Sequence, residues 1–444
     1  MLSKKAQLIG VVVVIAVIGV IAGVIVTRQS DSSSSATESS GTASSGSGSS
    51  VSGGTSDSST TTSSGSTSKP SKRSNSTSSR ESSITSDPTS EDVVASLMNT
   101  QAGNADIKPK AILGHGDNFY WTGINSEEGR DSRFTTTFEK KFSGDNLASI
   151  PFVNVVGNHD YGGGSFICSK GDENAKCKRS ENKFKWQQEY TSPNDNRWVL
   201  KDHFYVYSIE DEDSGVSIDI FNVDTGDADV HAALQVCCQC FAYSEGDDDS
   251  CKGVARGHEY CAGGDTDMYD ACFAKFKEWS DDSRKQLAEK VATSTATWKI
   301  VNSHYSPHVH YDEKGMQEWF DILEGSGIHA WVYGHTHGEK HDYSESLGVH
   351  FVENGAGGGI QKESASGLTT YAAKYATNVW TYTGDEYGFF SLEASEEWLK
   401  VQYHTADNSW SFGSTMSDTT AGGVQTKHCW YIPADGTEGK ECTS

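Results

Sequence analysis

The hydrophobic and polar positions divide the chain into three stretches. Residues 6–27, AQLIGVVVVIAVIGVIAGVIVT, are an unbroken apolar run without a charge. Residues 29–86 are mostly Ser, Thr and Gly. From residue 87 onward, short apolar blocks with a definite period alternate with polar turns.

The first run predicts a transmembrane helix, since about 20 apolar residues cross a bilayer. Lys4 and Lys5 precede it and Arg28 follows it. No small-residue cleavage site closes it, so the expectation is a signal-anchor over residues 1–28 with a cytosolic N-terminus. Everything after Arg28 is then extracellular or in a secretory or vacuolar lumen. Gly19 and Gly23 give a GxxxG spacing, which in a Val/Ile/Gly-rich run is more often chance than a dimer face. Residues 29–86 cannot bury enough apolar surface to offset chain entropy, and are expected to form a disordered stalk. Its one glycosylation sequon begins at Asn75.

In residues 87–444 the period switches repeatedly. EDVVASLMNTQ has helical spacing, and AILGHGDNF begins as an apolar strand that breaks at Gly114 and Gly116. IPFVNVVGNHD is a near-continuous apolar strand. HFYVYSI and VSIDIFNVDT alternate as antiparallel strands do. A long helix through DACFAKFKEWSDDSRKQLAEKVAT precedes the strand TWKIVNSH. The helix KGMQEWFDILEGS and the strands IHAWVYGHTH and GVHFVENGAGG follow. Strand, polar turn and helix in rotation predict an α/β class.

Composition sharpens this reading. The hydrophobic share of the 444 residues is only 35% and the net charge is −25. The average is misleading, because all Trp, Tyr and Phe lie beyond residue 86. Residues 81–444 carry 29 basic and 58 acidic side chains, a net −29. Such a polyanion excludes a non-specific nucleic-acid partner. Ten cysteines fit disulfides in an oxidising compartment better than the single C-x-x-C of Cys237 and Cys240 fits a zinc site. Cys168–Cys177 and Cys429–Cys442 are candidate local bridges. The six from Cys237 to Cys272 remain open, inside an apparent Cys-rich insertion over residues 226–281 that contains the acidic run Asp247, Asp248, Asp249.

The candidate chemistry sits at strand ends, where open α/β sheets bind ligands. Four apolar strands end in Gly116-Asp117-Asn118-Phe119-Tyr120, Gly157-Asn158-His159-Asp160, Ser303-His304 and Gly334-His335-Thr336-His337. These oxygen and imidazole donors suit iron, zinc or manganese. In His335-x-His337 the alternate spacing puts both rings on one side of an extended segment.

The order GDNFY, GNHD, SHYSPH, GHTH resembles the calcineurin-like metallophosphoesterases. Tyr120 makes the chain most similar to the purple acid phosphatases of the tartrate-resistant type, with FNVDT and ENGAGG in support. The resemblance implies a four-layer α/β/β/α sandwich and a dinuclear centre of Fe3+ with Zn2+, Fe2+ or Mn2+. It implies that Asp117 bridges two metals, that Tyr120 and His337 bind the ferric ion, and that Asn158, His304 and His335 bind the divalent one. His159 would serve the leaving group, with His310 and then His308 as weaker candidates. The implied activity is hydrolysis of phosphomonoesters on small molecules or phosphoproteins. A phosphodiesterase or nucleotidase of the same chemistry is the alternative, and an impaired surface protein a third reading.

The family pattern opens with an apolar strand ending in Asp-x-Gly or Asp-x-His, whose Asp binds the iron. Here SSRESSITSDPTSEDVV precedes the first helix, so that strand is expected to be missing. An internal segment lost from the sequence, substitution by Asp87, or real loss of function each account for it.

Overall fold

The computed structural model describes residues 11–16 and 90–442, apart from 106–107, 121–122, 163–177, 195, 230, 239–253, 260, 356, 358–363 and 414. The Ser-rich stretch, Asn75, Asp87, Cys168, Cys177, Cys240, Cys251 and Asp247–Asp249 lie outside the described residues. Two mixed sheets dominate. The first runs in the order β15 (Lys440–Glu441), β14 (Val424–Pro433), β13 (Trp398–Ala406), β12 (Gly388–Ala394), β1 (Val11–Ala16), β2 (Pro109–His115), β3 (Phe152–Val155), β4 (Trp198–Val199). The second runs β11 (Thr377–Thr381), β9 (Glu339–Ser344), β10 (Val349–Asn354), β8 (Ala330–Tyr333), β7 (Trp298–Asn302), β6 (Ser217–Asn222), β5 (Tyr205–Glu210).

The position of β1 corrects two expectations. A strand does stand where the first one seemed missing, and it comes from the run read as a membrane helix. Val11–Ile15 pair antiparallel with Phe390–Ala394, and Val12–Ala16 pair parallel with 109–114. No helix among the described residues is long and apolar enough to cross a membrane. The rest of 6–27 lies outside the described residues. The physical reason is that a strand between two partners reads as a continuous Val/Ile run, the same pattern a bilayer helix gives. Length favoured the helix. β-branched residues favour the strand once a sheet offers both edges.

The sheets face each other, with helices on their outer faces. Asn302 on β7 donates to the Gly114 and Val153 carbonyls of the other sheet at 3.2 and 3.4 Å. The Trp298 indole donates to the Ser395 carbonyl at 2.7 Å. The helix Ser90–Asn104 buries Val93, Val94, Leu97 and Met98 with Phe389, Leu399 and Val401 of the first sheet. The helix Glu313–Leu323, capped by Asp312 on the Gly315 amide, buries Met316, Trp319, Phe320 and Leu323. That spacing is one helical face, and it packs with Val301, Trp331 and Phe351 of the second sheet.

Cys429–Cys442 forms as the sequence suggests. In the Cys-rich stretch, Cys237–Cys272 and Cys238–Cys261 staple the short helix Ala233–Cys238 to the 28-residue helix Thr266–Thr293 and its approach. The C-terminal part of the expected insertion is therefore this helix, which buries Phe276 and Leu287.

Three imidazoles join β14 of one sheet to β9 and β10 of the other. The Thr437 carbonyl can only accept, so His350 Nε2–H donates to it at 3.4 Å. His341 Nε2–H then donates to His350 Nδ1 at 2.8 Å, and His428 Nε2–H to His341 Nδ1 at 3.0 Å. All three are neutral in this chain. Burial pushes His350 down to about 3 and His428 to about 4, and His341 well below its ordinary value. Unfolding frees them to bind protons near their ordinary pKa of about 6.5. Their stabilisation is thus complete above that pH and is lost as pH falls below it, by about 1.4 kcal/mol per pH unit for each one. Urea unfolding should show stability dropping from pH 7 to pH 5. His428→Phe, which can keep the stack on Trp380, should flatten the slope by about one proton. An unchanged slope would contradict the assignment.

Candidate metal centre

The four strands that carry the candidate ligands are β2, β3, β7 and β8, all central, and their C-terminal ends converge. Two glycines permit the approach. Gly116 has φ +88°, and a Cβ there would lie 2.6 Å from the Gly157 amide nitrogen. A Cβ on Gly157 would lie within about 2.7 Å of Asp117 and His304 atoms. Asp117 and His335 themselves take the left-handed conformation, with φ 54° and 69°. That costs a non-glycine residue on the order of 1 kcal/mol, a strain typical of functional sites.

The geometry centres on two atoms. His304 Nε2 lies 3.4 Å from Asp117 Oδ2, 3.1 Å from Asn158 Oδ1 and 3.2 Å from His335 Nδ1. Asp117 Oδ2 also accepts from the Tyr120 hydroxyl at 3.0 Å, and that hydroxyl is 3.1 Å from His337 Nε2. Two donor groups therefore share one carboxylate oxygen. Ligands about 2.0–2.2 Å from an ion lie roughly 3.0–3.5 Å apart, so both groups have ligand spacing. The first offers two oxygens and two imidazoles, a set that fits zinc, manganese or ferrous iron. The second offers a phenol, a carboxylate and an imidazole. Among the described residues no further carboxylate joins this second group; the next acidic residue after Ala16 is Asp31, which like Asp87 lies outside the described residues.

Outer partners fix this arrangement. His304 Nδ1–H donates to the His115 carbonyl at 2.6 Å, which leaves Nε2 as the ligand atom. Asp160 accepts from the Asn118 and Gly157 amides at 3.0 and 2.8 Å and from the Asn118 side chain at 3.1 Å. Burial and the nearby Asp117 push Asp160 up to about 7. Burial opposes ionisation of Asp117, but His304, His159 and the His159 amide at 2.8 Å outweigh it and hold that carboxyl low.

The three candidate general acids separate clearly. His159 is half-buried at the edge of the site, its ring 4.3 Å from the Tyr120 ring. His310 is buried behind His335, with Nδ1 accepting from the Ser306 amide at 3.0 Å and Nε2 on the Thr336 hydroxyl at 3.2 Å. His308 is buried between Ser306 Oγ (2.6 Å) and Asp342 (3.0 Å). Sequence reasoning missed Tyr305, whose hydroxyl donates to Asn158 Oδ1 at 3.0 Å. It also missed His231, whose ring lies edge-on to His335. Tyr305 follows a ligand directly and was findable. His231 is brought in from a distant loop.

A sequence model of the Calcineurin-like phosphoesterase family matches residues 88–339. The chain belongs to this family. Its relatives are purple and tartrate-resistant acid phosphatases. Tartrate-resistant acid phosphatase type 5 of Sus scrofa is 32% identical over 114 residues, 26% of this chain and 27% of that protein. Purple acid phosphatase 3 of Arabidopsis thaliana is 24% identical over 297 residues, 66% of this chain and 64% of that protein. The chain thus spans from about a quarter to just under two thirds of these relatives' length. The solved structure of GAP50, the anchor in the inner membrane complex of Plasmodium, aligns with a TM-score of 0.45 and 13% identity, covering 76% of this chain and 84% of that one.

Proposed function

We propose that this member of the calcineurin-like phosphoesterases is a metal-dependent phosphomonoesterase of the acid phosphatase type. The observation that carries the reading is the shared Asp117 Oδ2, which joins two donor groups of ligand spacing. Asn158, His304 and His335 would hold a divalent ion (zinc, manganese or ferrous iron). Tyr120 and His337 would hold a ferric ion, with Asp117 bridging. Such a pair supplies a lowered pKa for water and neutralisation of phosphate charge. Everything else falls to the chain. Tyr305 and the His115 carbonyl orient the ligands, and Asp160 ties the two ligand loops together. His159, held by its own amide on Asp117 and its ring on Tyr120, gives its proton to the departing alcohol oxygen. His310, with both nitrogens engaged, acts by positioning His335. The substrates are phosphomonoesters of small molecules or phosphoproteins. The three disulfides among the described residues support folding in an oxidising compartment, the extracellular space or a secretory or vacuolar lumen.

The test is metal analysis of the purified chain together with phosphate release from p-nitrophenyl phosphate. Two metals per chain and chelator-sensitive hydrolysis are expected. A chain that binds no metal overturns the reading. One further result follows for His159. His159→Ala should lower kcat on an alkyl phosphate by about 10²–10⁴-fold. The loss should be much smaller on p-nitrophenyl phosphate, whose leaving group needs no proton. Equal losses on both substrates would remove His159 from that role.

A further inference from the structure

We infer that His231 is a phosphate-contacting, specificity-determining residue of this site, facing the phosphate from the side opposite His159 and favouring monoesters over diesters. The inference rests on the phosphomonoesterase reading above.

His231 is solvent-exposed and lies on the loop between β6 and the helix Ala233–Cys238. Its ring centroid is 5.8 Å from that of His335, at 77°. His159 packs on Tyr120 instead. Tyr120 and His335 belong to different donor groups, so one of these two imidazoles lies beside each group. His231 also has a positive φ of 52°, like the ligands Asp117 and His335. A strained backbone at an exposed histidine persists only where the surroundings impose it.

The surroundings do impose it. The His231 carbonyl accepts from the Tyr305 hydroxyl at 3.2 Å, and the same hydroxyl donates to Asn158 Oδ1 at 3.0 Å. The Asp229 amide donates to the His310 carbonyl at 3.0 Å, and Asp229 Oδ2 accepts from the Asp312 amide at 2.6 Å. The Ala233 amide closes on the Gly226 carbonyl at 3.0 Å. Past Ala233, the disulfides at Cys237 and Cys238 anchor the helix. The loop is thus clasped to the segment that carries His304 and His310. These contacts hold the His231 imidazole edge-on beside His335.

An N–H donor placed there reaches a phosphate oxygen directed away from the leaving group. In a monoester that oxygen is charged and unsubstituted. In a diester one such position carries the second ester group, and the contact is lost. The role needs only a neutral N–H, not a change of protonation.

The test compares wild type with His231→Ala and His231→Gln, each with metal content and Tm checked. In His231→Ala, KM for a phosphomonoester and the Ki of inorganic phosphate should both rise about tenfold, as for a lost hydrogen bond to a charged group. kcat should change much less, and kcat/KM on bis(p-nitrophenyl) phosphate should stay the same. Glutamine, which keeps a donor, should restore most of the phosphate affinity. Unchanged KM and Ki, or equal losses on mono- and diester, would overturn the role of His231 while leaving the site assignment standing. A wild-type chain that takes up no metal and binds no inorganic phosphate would overturn both.

Discussion

Asp117→Asn should abolish metal-dependent phosphate release, with a loss on the order of 10³-fold or more in kcat. The substitution keeps the shape of the side chain. Asparagine also tolerates the left-handed backbone at this position better than other residues. The fold is therefore not at risk, and what changes is the charge on Oδ2. That oxygen is 3.4 Å from His304 Nε2 and 3.0 Å from the Tyr120 hydroxyl. Both donor groups use this atom, so one substitution weakens both at once. Metal content should fall together with activity while Tm stays within a few degrees. Retained metal with lost activity would make Asp117 a substrate contact instead. Retained activity would mean that the two donor groups are not the site of hydrolysis.

Removing residues 1–30 should leave a chain that fails to fold. β1 is hydrogen-bonded along both edges, to β12 and to β2. Its loss opens two edges in the middle of the sheet, next to Ile112, Leu113, Phe390 and Leu392, which are fully buried. Open apolar edges in a sheet interior invite aggregation. The lost contacts rival the entire stability of a domain, about 5–15 kcal/mol. The expected outcome is insoluble protein or a chain without near-UV circular dichroism. A soluble, cooperatively folding, active truncation would instead restore the membrane-anchor role to this run. Val13→Pro separates the two roles more finely. Val13 pairs with Leu392 and Ala111, and proline removes a ladder hydrogen bond in mid-sheet. A membrane helix tolerates one proline far better. Marked destabilisation is expected, and a neutral result would count against the strand.

The misreading of this run has a definite physical source. Hydropathy along the chain reports how dry a segment must be, but not what dries it. A sheet flanked on both edges and a bilayer demand the same Val and Ile residues. The pairing partners that decide between them lie about a hundred residues away at 109–114 and nearly four hundred away at 390–394. The candidate ligands were legible for the opposite reason. Asp117, Asn158, His304 and His335 each follow directly on a short apolar strand, so their placement is a local property of sequence and turn. The Cys429–Cys442 bridge was legible in the same way, being short-range. The pairing of Cys237 with Cys272 and Cys238 with Cys261 was not, because it depends on how one helix lies against another.

Sequence by itself determined the α/β class, most strand and helix positions, the candidate ligand side chains at the strand ends and the family. These follow from periodicity and from motifs a few residues long. Tertiary structure alone decided the place of Val11–Ala16, the convergence of two donor groups on a single Asp117 oxygen, the engagement of both His310 nitrogens and the approach of His231. Each of these is a contact between segments far apart in the chain. No local pattern encodes such a contact, because it is fixed by the register of two sheets packed face to face.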